Sequence, residues 1–286
     1  MRELARIQVR GETSDFERTW NARSATKIEY GVIAIYKDGL VYEGIREVFS
    51  EFAKEHPMSW HEEVEVEYTV RELSSFELLR LEVQGRAGPG DNSCAPVYAE
   101  EVVCGTCGRT SYRQVRDMVL DFSAKQEDGY ETGYFKHDLC ETGFSELVVS
   151  GKVKMLIEQN LVPGVTLRPI DSVVESPAAF RPYFQLLVRQ QIGPLIDPTR
   201  IQRHDLCGTC GQYKQVLFDA RAPIKGSEFY FLRNSYAGAW IMTTTDQFGR
   251  GPRYRGALVI NQAFYRLLKN AHVTGMWVQP AYLVES

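Results

Sequence analysis

The chain has 286 residues, of which 44% are hydrophobic, 24% charged and 12% aromatic, and its formal net charge is −4. This composition is typical of a folded globular protein, and the aromatic content argues against a disordered chain. No apolar run reaches the roughly 18 residues that span a bilayer, and the N-terminus lacks the apolar core of a signal peptide. We therefore expect a cytoplasmic protein without membrane segments.

The first 75 residues form an acidic segment with 15 Asp/Glu and 10 Lys/Arg. Residues 1–27 are charged and show no clear pattern, so no element is predicted there. Residues 30–36 are β-branched and aromatic and predict a strand. Ile45, Val48, Phe49 and Phe52 follow at helical spacing and predict a helix with one apolar face. Residues 61–68 alternate acidic and apolar side chains, which predicts a strand with one face in the core.

The acidic residues of this segment fall on two faces, one on the predicted helix and one on the predicted strand. Together they make either a docking surface for a basic protein or two solvated faces that never meet. The candidate partner-binding residues are Glu43, Glu47, Glu51, Glu63, Glu65 and Glu67.

The pentapeptide CGTCG occurs twice, at residues 104–108 and 207–211. Two thiols three positions apart, followed by glycine, are typical of half of a tetrahedral zinc site, and the glycine allows a turn with positive φ. The copies are 103 residues apart, far more than the roughly 15 to 20 of a compact zinc ribbon, so a folded segment must separate them. We predict one structural Zn(II) closed by four sulfurs. The predicted ligands are Cys104, Cys107, Cys207 and Cys210.

Two other interpretations of these thiols remain open. In the first, the protein has lost the metal and the thiols are core residues. In the second, the thiols act as redox dithiols, which favour an exposed CxxC at a helix N-terminus. A second repeat, HDLC, occurs at residues 137–140 and 204–207. His204 is a candidate outer partner or alternative ligand, but we interpret His137 and His204 as surface or core histidines. Whether His204, His137 or Cys140 binds metal is left open.

A longer repeated stretch follows each pentapeptide and predicts an internal duplication. Residues 147–169 predict a strand, a helix capped by Ser150 and a strand, and they align without a gap on residues 258–280, where Asn261 is the cap. Residues 76–79 also resemble residues 184–187. The predicted fold is α+β, with two related α/β halves joined by a split, zinc-ribbon-like four-cysteine site. The predicted domains are an acidic segment 1–75 and the halves 76–178 and 179–286.

No sequence feature indicates catalysis. The chain has no GxSxG, Walker, HExxH or GxGxxG motif, and none of its five histidines is placed to form a catalytic pair. We predict that it is not an enzyme. The loop 249–256 has three arginines beside a tyrosine, so a zinc-ribbon regulator that binds nucleic acid is the alternative function. The acidic net charge disfavours that alternative, because such proteins carry a basic surface.

These motifs resemble the double-CxxCG-motif family of bacterial paralogues, whose members are described as immunity proteins against toxins. The resemblance covers about residues 76–286 and depends on both CGTCG strings and on LVVSGKVKMLIEQNLVPGVTLRP and LVINQAFYRLLKNAHVTGMWVQP. It implies that the four cysteines bind zinc and that the protein neutralises a cognate protein toxin without catalysis. A basic toxin would suit the acidic first quarter.

Overall fold

The computed structural model describes residues 2–10, 14–24, 32–37, 40–54, 59–86, 98–121, 137–142, 146–173, 182–199, 201–218, 228–248 and 255–285. The chain divides into two compact units. The first comprises Met1–Ser75 with Arg221–Ser227, and the second comprises Phe76–Ala220 with Glu228–Ser286. In the described residues the fold is mixed α+β, mostly strands with five α-helices. None of the helices described is both long and apolar enough to span a membrane.

The first unit packs helices on one face of a three-stranded antiparallel sheet with strand order β2-β1-β3. Alternate residues of the central strand, Ala5, Ile7 and Val9, are buried in one cluster with Ile45 and Val48 of the second helix. The two strands and the helix predicted after residue 30 are confirmed. The elements of the first unit are β1 (Arg2–Arg10), α1 (Ser14–Arg23), β2 (Val32–Tyr36), α2 (Leu40–Phe52), β3 (Ser59–Glu67) and α3 (Val70–Leu73).

The second unit contains both CGTCG motifs and begins with a chain segment that reaches residue 173. The elements of this segment are β4 (Leu78–Val83), β5 (Gly85–Arg86), β6 (Tyr98–Cys104), β7 (Arg109–Gln114), β8 (Val119–Asp121), β9 (Leu139–Glu141), β10 (Leu147–Ser150), α4 (Gly151–Gln159), β11 (Val165–Pro169) and β12 (Asp171–Val173).

A later segment of the chain, described from residue 182 onward, completes this unit. A short 3₁₀ turn at Arg233–Ser235 follows its fifth strand. The elements are β13 (Tyr183–Val188), β14 (Gln191–Ile192), β15 (Ile201–Leu206), β16 (Tyr213–Phe218), β17 (Phe229–Leu232), β18 (Ile241–Phe248), β19 (Arg255–Asn261), α5 (Gln262–Asn270) and β20 (Met276–Val284).

Each of the two large sheets takes one strand from the other segment. One sheet has the order β11-β13-β10-β9-β5 and the other β14-β18-β19-β4-β20-β17. Strand β13 lies between the strands that precede and follow helix α4, while β4 lies between the strands that precede and follow helix α5. The first strand of each segment is therefore inserted into the sheet of the other.

The two insertions also have the same register. Val148 pairs with Gln185, and Val259, which is 111 positions after Val148, pairs with Arg80. On the other side Leu167 pairs with Leu186, and the residue 111 positions later pairs with Leu81. Gln185 and Leu186 are thus each 105 positions after their counterparts in β4. The sequence alignment of residues 76–79 with 184–187 implied 108 positions and was wrong by three residues.

The helix caps predicted from the sequence are confirmed. Ser150 Oγ accepts a hydrogen bond from the Val153 amide at 3.5 Å, and Asn261 Oδ1 accepts one from the Phe264 amide at 2.9 Å. A cap of this kind stabilises a helix by about 1 kcal/mol. Helix α4 buries Val153 and Ile157, and α5 buries Phe264 and Leu268.

Asp138 connects the two segments near these caps. Its carboxylate accepts hydrogen bonds from the Thr274 amide at 3.0 Å, from Ser150 Oγ at 2.8 Å and from Lys152 Nζ at 3.2 Å. Partial burial disfavours the charged carboxylate, but the hydrogen bonds from Thr274, Ser150 and Lys152 outweigh it and lower the pKa of Asp138 below its ordinary value. Lys152 Nζ also donates to the His272 carbonyl at 2.8 Å.

Candidate metal centre

Each CGTCG string forms the turn of a β-hairpin. The first joins the antiparallel strands β6 and β7, and the second joins β15 and β16. Gly108 and Gly211 have φ values of 67° and 66°, so the predicted left-handed glycine is confirmed in both turns. Among the described residues, each hairpin is a separate two-stranded sheet.

The two hairpins bring four sulfur atoms together. Cys104 Sγ lies 3.9 Å from Cys207 Sγ, and Cys107 Sγ lies 4.0 Å from Cys210 Sγ. All four sulfurs are within 4.8 Å of one another, and all four cysteines are free thiols. A zinc ion with four Zn–S bonds of about 2.3 Å places its sulfurs about 3.8 Å apart. The four cysteines therefore can hold a tetrahedral metal ion.

Backbone amides of the turns point at the first sulfur of each motif. Hydrogen bonds from the amides of Cys107 and Thr106 lower the pKa of Cys104. The corresponding bonds from Cys210 and Thr209 lower the pKa of Cys207 to about 6. These amides favour the thiolate, which is the form that binds a metal.

The crowding of the sulfurs has the opposite effect on Cys107. A hydrogen bond from the Arg109 amide favours its thiolate, but loss of hydration and the three neighbouring cysteines outweigh it and raise the pKa of Cys107 to about 11. Four thiolates at such distances repel one another, and a divalent cation between them would remove that repulsion. The chemistry of this donor set therefore fits a metal ion.

The histidines and the remaining described cysteine do not join this group. Within the described residues, the four cysteines are the one cluster with metal-ligand spacing. His204 lies exposed on β15, and its Nε2 is 3.3 Å from Gln202 Oε1. Cys140 is fully buried, its thiol donates to the His137 carbonyl at 3.5 Å, and burial raises its pKa to about 12. Cys94 lies outside the described residues.

Polar contacts attach the second hairpin to the sheet beside it, and sequence reasoning missed them. Arg203 of β15 donates to Asp246 Oδ1 at 3.0 Å and to the Leu195 carbonyl at 2.8 Å, while the Leu195 amide donates to Asp246 Oδ2 at 2.7 Å. Arg109, directly after the first turn, donates to Gln247. The charged residues beside each CGTCG turn were visible in the sequence, but their partners lie in a distant strand.

The acidic residues proposed for partner binding lie in the first unit. Glu43, Glu47 and Glu51 are exposed along helix α2, and Glu67 is exposed at the end of β3. Glu63 and Glu65 belong to β3, but their side chains lie outside the described part of the chain. The register pairs residues 63 and 67 with Arg6 and Arg2 of β1, so basic residues stand opposite two of the strand glutamates. Whether the two acidic sets form one surface stays a prediction.

No protein-family profile matches the chain, and no curated protein matches it. The resemblance to the double-CxxCG family therefore stays a prediction based on motifs.

Proposed function

We propose that Cys104, Cys107, Cys207 and Cys210 bind one Zn(II) ion as a closed structural site. The observation that carries this proposal is the mutual distance of the four sulfurs, none more than 4.8 Å from another. Soft thiolate ligands in tetrahedral arrangement suit zinc or iron. A zinc ion with four protein ligands has no open position for water or substrate, so the site supports the fold and does not catalyse.

We also infer that the second unit arose by duplication of one CxxCG segment. The inference is supported by the shared strand order around α4 and α5, by the equal registers of β13 and β4, and by matching hairpins. In such a unit each half completes the sheet of the other. The metal then connects two hairpins that lie at corresponding positions of the halves.

At the level of biology, we propose an immunity protein that binds and neutralises a cognate bacterial toxin. The support is the family resemblance of the two CGTCG motifs, the closed metal site and the exposed glutamates of helix α2. A surface of this charge attracts a basic protein, and opposite charges speed its capture. Toxins that act on nucleic acid are basic for the same electrostatic reason.

Metal analysis tests the first proposal. Protein purified without added metal should contain one zinc per chain, and Co(II) substitution should give the visible absorption of a tetrahedral thiolate complex. Changing Cys207 to serine should abolish stoichiometric binding, whereas Cys140→Ser should leave it intact because Cys140 is outside the cluster. Zinc-free protein that does not take up Co(II) would overturn the site.

Protection of cells tests the proposed immunity role. Cells that express a toxin encoded beside this gene should survive when they also express this chain, and the two proteins should copurify. The variant Glu43→Lys/Glu47→Lys/Glu51→Lys should lose affinity. Reversal of three exposed acids of the second unit outside the two hairpins, Asp117→Lys/Glu158→Lys/Asp171→Lys, serves as the control. Cells that stay sensitive while the chain is folded and abundant would refute an immunity role.

A further inference from the structure

The two sulfur pairs of the metal centre differ in their exposure. Cys104 and Cys207 are each only 6% exposed, whereas Cys107 and Cys210, the outer pair, are half-buried. A Cβ atom placed on any glycine of the two turns would meet no atom within 4 Å. The turn glycines therefore have open space beside them, and Cys107 and Cys210 are the more exposed sulfur pair, which a small oxidant in solvent would reach first.

The outer pair also belongs to the two different halves. Cys107 Sγ and Cys210 Sγ are 4.0 Å apart, and a disulfide needs about 2.05 Å, so a movement of about 2 Å brings them to bonding distance. The two turns lie at the ends of narrow hairpins that pair with no further strand in the described chain. Such ends move more readily than the interior of a sheet.

We propose that the four-cysteine site is a thiol switch in which a peroxide converts Cys107 and Cys210 into a disulfide between the halves. The proposal depends on the zinc site proposed above, because the switch acts on its ligands. It differs from a dithiol oxidoreductase, in which the two cysteines of one CxxC motif form the bond and a helix N-terminus activates them. Both CGTCG motifs are instead followed by strands.

The chemistry balances with a peroxide as the two-electron oxidant. In the metal-loaded site the ligand sulfurs are held as thiolates. One outer thiolate attacks the peroxide, so that an S–O bond forms, the O–O bond breaks, and a sulfenic acid and, with a proton from solvent, one water result. The second thiolate attacks that sulfur, the S–S bond forms, the S–O bond breaks and a second water leaves. Each sulfur contributes one of the two electrons that the peroxide gains, and two protons come from solvent.

The disulfide changes the metal site and keeps the hairpins together. It removes two of the four thiolates and leaves Cys104 and Cys207, which are too few ligands for a closed tetrahedral site. The metal affinity should therefore fall while the covalent bond replaces the ion as the link between the turns. Reduction restores the four thiolates, and the protein should then bind metal again.

Titration of the metal-loaded full chain with hydrogen peroxide tests the proposal. A chromophoric chelator reports released zinc and a thiol reagent counts free cysteines, and we expect one zinc released for every two thiols lost. Trypsin leaves Cys104 and Cys107 in peptide 87–109, and Cys207 and Cys210 in peptide 204–214. A Cys94→Ser background removes the remaining thiol of the first peptide. The expected product under non-reducing conditions is a disulfide between the two peptides that fragmentation assigns to residues 107 and 210.

The controls separate this proposal from the zinc site itself. Cys107→Ala should eliminate the linked peptides, and Cys140→Ala should not change them, because Cys140 is buried and outside the cluster. A bond inside one peptide, sulfinic acid without a bond, or thiols that resist a peroxide excess that oxidises free glutathione would overturn the switch. A chain without metal before oxidation would instead overturn the zinc site, and its peptide map would still decide the pairing.

Discussion

Removal of the metal should lower the stability of the second unit by an amount that can be calculated from its binding. A ligand that binds only the folded state stabilises it by about 4.1 kcal/mol when its free concentration is 1,000 times its dissociation constant. The unit contains about 200 residues. For a domain of 150–250 residues, 1 kcal/mol corresponds to about 2–4 °C, so chelation should lower the unfolding midpoint by about 8–16 °C.

Calorimetry of the full chain, with and without a zinc chelator, measures this shift. Each tenfold increase in free zinc above the dissociation constant should add about 1.4 kcal/mol, or about 3–6 °C. The variant with all four ligand cysteines changed to serine is the control, and the chelator should not shift its midpoint. Hydrogen exchange should show the largest loss of protection in residues 98–114 and 201–218, since those hairpins carry the ligands.

One result would refute this reasoning directly. If zinc is present at one ion per chain but its removal leaves the midpoint unchanged, the ion is bound equally well by the folded and unfolded chains and does not support the fold.

Three further predictions concern the second unit. Asp138→Asn should destabilise the chain by about 1–3 kcal/mol at neutral pH, because hydrogen bonds to a charged carboxylate are lost. The pKa of Asp138 is lowered in the folded state, so its stabilising contribution is complete above the unfolded pKa of about 3.9 and disappears as the pH falls through the folded pKa. Urea unfolding curves of the two proteins should therefore converge in acid. Gly275→Ala should be much more destabilising than Gly164→Ala, although both glycines have positive φ. The new Cβ at position 275 lies 2.3 Å from a backbone oxygen, whereas the one at position 164 meets the flexible side chain of Gln190. Equal losses of unfolding free energy would contradict this. Halves divided within residues 174–181 should be insoluble alone and copurify when coexpressed, because each lacks one inner strand of its sheet; a soluble monomeric half would be inconsistent with it.

Local features of the fold were predictable because neighbouring residues determine them. Ser150 and Asn261 cap helices as polar side chains before an apolar helical pattern do, and Gly108 and Gly211 adopt the positive φ that their turns require. The clustering of the four cysteines was predictable as well, because each CxxCG turn supplies two sulfurs and a tetrahedral site needs four. Strand β1 was missed, although Ala5, Ile7 and Val9 alternate with polar residues as in a strand with one buried face.

The insertion of β4 and β13 into the sheet of the other segment was not predictable from local sequence. Residues 78–83 form strand β4, but nothing in them indicates the partners β19 and β20, which lie about 180 to 200 positions later. The burial of Leu78, Leu79 and Leu81 is typical of an inner strand, since consecutive apolar residues face both sides of a covered sheet. The three-residue error in aligning β4 with β13 has the same origin, because register is determined by pairing partners and not by similarity of letters.

This insertion changes the role that the metal must have. The sequence alone suggested that a shared ion joins two halves, but in the structure β4 and β13 already interlock the two segments through backbone hydrogen bonds inside both sheets. An ion is therefore not needed to hold the segments in one unit. A metal bound by the four cysteines would fix the two hairpins, which have no other strand partners in the described chain, relative to one another. For this reason we expect metal-free protein to retain both sheets and lose order at the hairpins first, instead of unfolding as a zinc finger does.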